Sequence, residues 1–151
     1  MRSYIMNLPG PGKAFFLAIL LLSLATAASA ESFLEIEDAW VRQPPPGASV
    51  AGAYLTIINP TNDDYYITGV HSDRFGAIEL HETVEDNGMG RMIHHNYYRI
   101  PANSKFEAKP GSYHLMLFRW EAPLKEGEKI EFNLQQGNGD SVPFTAIVKR
   151  P

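Results

Sequence analysis

Cysteine is absent from this 151-residue chain. Its absence excludes disulfides, thiolate metal sites and lipid attachment through an N-terminal cysteine, so any core must hold by packing alone. Basic runs are missing too. The formal net charge is −4, with 13 Lys and Arg against 17 Asp and Glu, which argues against nucleic acid as a partner. No nucleophile-elbow sequence, phosphate-binding glycine loop or HExxH motif occurs, so catalysis is unsupported and the chain is read as a non-enzyme. No segment sustains a helical period with caps.

What is present begins with a leader. Arg2 and Lys13 give a positive flank, residues 14–25 are apolar except for Ser23, and Ala28-Ser29-Ala30 supplies small residues. This pattern reads as a secretory signal peptide over residues 1–30, cut after Ala30, with the mature protein in the periplasm. The apolar run is short for a bilayer span of roughly 20 residues, so no membrane partner is expected after cleavage. Residues 31–151 would then form one domain, and loss of Arg2 and Lys13 takes the net charge from −4 to −6.

Proline and glycine punctuate that region as in an all-β domain. Strands are expected at 33–41, 51–59, 65–72, 77–84, 91–100, a short 105–108, 113–120, 129–135 and 142–149. Asn87-Gly88 marks a tight hairpin turn, Pro110-Gly111 a type II turn, and Gly137-Asn138-Gly139 the last hairpin. Eight or nine short strands at this spacing imply a Greek-key β-sandwich of two sheets.

After the leader only three methionines remain, Met89, Met92 and Met116, and all lie between His81 and Met116. Thioether and imidazole donors without thiolate suit Cu(I). Strand alternation puts His114 and Met116 on one face, opposite Tyr113, Leu115 and Leu117. Two donors at i and i+2 stand roughly 7 Å apart at the backbone, close enough to reach one ion. The Asn87-Gly88 hairpin brings His81 opposite residues around Met92 to His94. Whether the two pairs converge depends on a strand adjacency that spacing does not give.

The bland alternatives are concrete. A methionine often only fills a core gap, but the joint spacing with two histidines favours a site. His94 and His95 face opposite ways. His94 shares parity with Met92 and reads as a solvated surface residue, or else as a supporting one. Glu82, Glu85 and Asp86 solvate a turn or help dock a basic partner.

His81, ten residues, Met92, twenty-one residues, His114, one residue, Met116 resembles the signature of the periplasmic copper chaperones (PCuAC) that serve the binuclear copper centre of cytochrome c oxidase. AWVRQPPPGASVAGAYLTIIN, IELHE, GMGRM and KPGSYHLML fit as well, and the resemblance covers most of the chain after the leader. It implies a cupredoxin-like β-sandwich and a copper site near solvent. Cu(I) is preferred and Cu(II) possible, on His81, Met92, His114 and Met116, with Met89 as an auxiliary donor. Two departures stand out. Glu82 occupies a position where many members carry methionine, and no His/Met-rich tail precedes Pro151, so a second, tail-borne site is not expected.

The implied function is delivery of Cu(I) by a monomer to the copper-bearing subunit of cytochrome c oxidase or to another copper-transfer protein. A scavenging or buffering protein would use the same site without a dedicated acceptor. An immunoglobulin-like adhesion module with incidental histidines predicts no stoichiometric copper. A blue-copper electron carrier lacks its cysteine.

Overall fold

The computed structural model describes residues 33–150; the expected signal peptide and its cleavage site lie outside them. Ten strands run β1 Glu35–Arg42, β2 Val50–Asn59, β3 Tyr65–His71, β4 Ala77–Asp86, β5 Met89–His95, β6 Tyr98–Ile100, β7 Ser104–Ala108, β8 Tyr113–Phe118, β9 Lys129–Gln136 and β10 Ser141–Lys149. No helix occurs among the described residues. The all-β expectation holds, with ten strands in place of eight or nine.

The extra strand has a physical reason. The single strand expected over 91–100 breaks at Asn96-Tyr97, because β5 pairs with β4 whereas β6 pairs with β3. The chain changes partner there. The pairing path runs β5-β4-β8-β2-β1-β10-β9-β3-β6, with β7 beside β2. It is antiparallel throughout except for β1 with β10.

The path folds over on itself. Tyr98, near its far end on β6, brings its hydroxyl 2.6 Å from the carbonyl of His81 on β4 and 2.8 Å from that of His114 on β8. The space between the two layers holds Val41, Ile57, Ile67, Leu117 and Phe132, all at 1% exposure or less. Alternation is cleanest in β9, where Ile130, Phe132, Leu134 and Gln136 point inward and their neighbours outward. Phe132 stands opposite Phe144 of β10, their rings stacked at 5.2 Å.

Turn chemistry follows the sequence. Asn87 and Gly88 both have positive φ (52° and 78°), as a two-residue hairpin of the primed type demands. Gly111 (φ 81°) follows Pro110, and the Ser112 amide donates to the Lys109 carbonyl, closing a type II turn. A bulge in β1 between Glu37 and Trp40, with Asp38 at φ 51°, sets Trp40 opposite Tyr54.

Candidate metal centre

β4 lies between β5 and β8, and its register fixes everything else. His81 stands opposite His94 on β5 and opposite His114 on β8. Directly paired residues share a face, so three imidazoles line one rung across three strands. The His81 ring centroid is 5.3 Å from that of His94 and 6.0 Å from that of His114. This is the outer face, away from Leu80, Leu115 and Leu117.

Two of the imidazoles have their tautomers set. Nε2 of His81 lies 2.9 Å from Oε2 of Glu79. An ionised carboxylate only accepts, so the proton belongs on Nε2 and Nδ1 carries a lone pair. That Nδ1 is buried without a hydrogen-bond partner. Nδ1 of His114 lies 2.9 Å from the Ser112 carbonyl, which can only accept, so its Nε2 is the open donor. A carboxylate behind an imidazole raises the basicity of the opposite nitrogen and fixes the ring. Each ring therefore has one nitrogen held and the other left with its lone pair, and His114 is 6% exposed.

The two methionines differ in exposure. Met116 stands two residues from His114 on the same face, opposite Glu79 on β4 and Gly52 on β2. Tyr54 lies across Gly52, since a Cβ there would sit 2.8 Å from its hydroxyl oxygen. Trp40 packs on Tyr54 at 4.6 Å, so this side of the site is walled. Met92 stands opposite Thr83, 59% exposed. It is diagonal to His81 on the side away from Met116. Strand spacing and rise put the Met92 and Met116 backbones roughly 15 Å apart.

By register the structure sets His114 and His94 on either side of His81, with Met116 two residues from His114 and Met92 two residues from His94. Met89 is not brought in. It pairs with Asp86 at the hairpin tip, 72% exposed, and differs from Met92 in parity. His94 stands in the rung beside His81 and is exposed, as its solvated reading expects. Its position was countable: a two-residue turn at 87–88 pairs residue 86 with 89 and hence 81 with 94. Among the described residues no group of three or more His, Asp or Glu side chains is arranged to hold a metal ion.

The opposite face of the same strands is different in kind. Glu82 does not border the rung. It pairs with His95 at 2.9 Å, and His95 packs 5.6 Å from Tyr113 and 5.9 Å from Tyr98. Burial pushes both phenols above their ordinary range, with Glu82 adding to the shift at Tyr113, so they remain protonated.

The profile of a family described as "Putative lipoprotein LpqE-like" matches residues 34–148. The Rickettsia prowazekii protein RP573 is 32% identical over 109 residues, 68% of this chain and 59% of that protein, so the chain spans less than two thirds of this relative's length. The Leifsonia xyli protein named "Putative lipoprotein Lxx21020" is 32% identical over 117 residues, 77% of this chain and 69% of its own. Among solved structures, the Cu(I) form of DR1885 from Deinococcus radiodurans is similar at 27% identity and TM-score 0.62, covering 74% of this chain and 75% of that one. The copper-bound PCuAC domain from PmoF2 is similar at 22% identity and TM-score 0.67, covering 80% of this chain and 95% of that domain. This likeness shows the fold, which is cupredoxin-like.

Proposed function

The chain belongs to the LpqE-like family, and from that premise we propose that it is an exported copper chaperone that holds one Cu(I) and passes it on. His81, His114, Met116 and Met92 would supply the donors, with Met92 reaching in from β5 on the far side of His81. Two cross-strand imidazoles carry the reading, each with one nitrogen engaged and the other open. A donor set of imidazole and thioether matches soft Cu(I), and the imidazoles also admit Cu(II). The relatives of similar fold are described as copper-bound, which supports the same cargo here.

Without cysteine the site cannot be lost to disulfide formation in an oxidising compartment, although its methionines can form sulfoxides. The acceptor follows from the resemblance: the copper-bearing subunit of cytochrome c oxidase, or another copper-transfer protein. Acceptor thiolates would replace imidazole and thioether one at a time, with no chemical turnover. Burial of His114 favours one rival, a buffer that stores copper without a dedicated acceptor. Transfer to an apo oxidase subunit separates the two.

The direct test is anaerobic competition with a Cu(I) chelator. Met116→Leu should lower Cu(I) affinity by at least about tenfold, 1.4 kcal/mol, and Cu(II) affinity far less, with the fold intact. Unchanged Cu(I) affinity would remove Met116 from the site.

A further inference from the structure

We propose that His94 is a copper donor, and that with Met92 and His81 it forms a second, exposed seat onto which the ion moves before release. The inference rests on the copper reading above and adds a residue outside the four-donor signature.

The donors have a symmetry along the ladders. On β8, His114 stands beside His81 and Met116 lies two residues further on. On β5, His94 stands beside His81 and Met92 lies two residues before it. β5 and β8 are both antiparallel to β4, so the two imidazole–thioether pairs lie on opposite sides of His81 and slant opposite ways. Each pair makes a three-donor N₂S set with His81. One ion cannot use both thioethers at once without movement, because their backbones stand roughly 15 Å apart.

The seats differ in exposure. The inner one has a buried histidine and the wall of Tyr54 and Trp40. The outer one has an exposed histidine and a methionine 59% exposed, on a strand that pairs with β4 alone. His94 is also the closer imidazole to His81, 5.3 Å against 6.0 Å. It has freedom to turn, since exposed side chains change rotamer readily.

Transfer between seats is ligand exchange with no redox step. The ion remains Cu(I) and stays on His81. Its bonds to the His114 nitrogen and Met116 sulfur break as bonds to the His94 nitrogen and Met92 sulfur form. Neutral His94 supplies the nitrogen lone pair, so no proton need leave. The inner seat sets the equilibrium affinity and the outer seat sets the rate of handover.

The experiment loads the protein with Cu(I) anaerobically and follows its removal by excess bathocuproine disulfonate in a stopped-flow instrument. His94→Ala should slow removal about tenfold and change equilibrium affinity by less than about threefold, the kinetic signature of a lost stepping-stone donor. His94→Met, which restores a soft donor, should recover most of the rate. A purely structural role for His94 predicts no such recovery. Equal removal rates for wild type and His94→Ala, or no recovery in His94→Met, would overturn the proposal and leave the inner seat standing. Failure of the wild type to bind Cu(I) stoichiometrically would sink the copper reading itself.

Discussion

His94 and His95 are neighbours in sequence and opposites in circumstance. His95 points inward, paired with Glu82 and packed on Tyr98 and Tyr113. His94 points outward, against His81 and into solvent. The same division runs through the whole β5-β4-β8 ribbon. Its inner face meets the needs of its polar groups: Glu82 satisfies His95, and the Tyr98 hydroxyl finds two carbonyls. Its outer face leaves a buried imidazole nitrogen, Nδ1 of His81, with nothing to bind. A buried polar atom without a partner is costly. Histidine is therefore packed on tyrosines on one side of this sheet and left with an unpartnered buried nitrogen on the other, and one step along the strand decides which.

The sharpest way to break this contrast is to remove one histidine from each face. His114→Ala should reduce Cu(I) affinity by more than the roughly 10–100-fold that loss of a mere supporting partner costs. His95→Ala should leave affinity within about threefold and lower stability by about 1 kcal/mol, the worth of its hydrogen bond. Chelator competition and urea denaturation read the two effects. An equal loss of copper in both variants would erase the distinction between the faces.

A subtler change acts behind the donor. Glu79→Gln keeps the shape and removes the acceptor charge at Nε2 of His81. Cu(I) affinity should fall about tenfold, as for other carboxylates behind a metal-bound imidazole. Chelator competition measures it, and no change would mean that the Glu79 contact does not prepare Nδ1. The smallest effect belongs to the residue that joins the faces. Tyr98→Phe should cost about 1 kcal/mol by denaturant titration and weaken Cu(I) only a few-fold, since the β4–β8 ladder still holds His81 against His114. A loss of copper as large as in His114→Ala would make Tyr98 part of the site's alignment.

Much of this could be read from the residues. Alternation placed His114 and Met116 together on the outer side, and Asn87-Gly88 fixed the β4–β5 register because only a few turn types close in two residues. The adjacency of β4 and β8, on which the His81–His114 pair depends, was not legible. These strands are joined through three others in sequence, and only packing of the whole core makes them neighbours. The break at Asn96-Tyr97 was not legible either: Tyr97 and Tyr98 suit a strand, and nothing local fixes which strand they will pair with. Sequence proximity to Met92 hides the opposite parity of Met89 at the hairpin tip.

β5 hydrogen-bonds to one neighbour only and ends the path of strands. Opening that ladder leaves the other strand pairings in place, so its free energy is that of a local unit and well below global unfolding. Amide protons on β5 should exchange ahead of those on β8 while the rest of the sandwich stays folded.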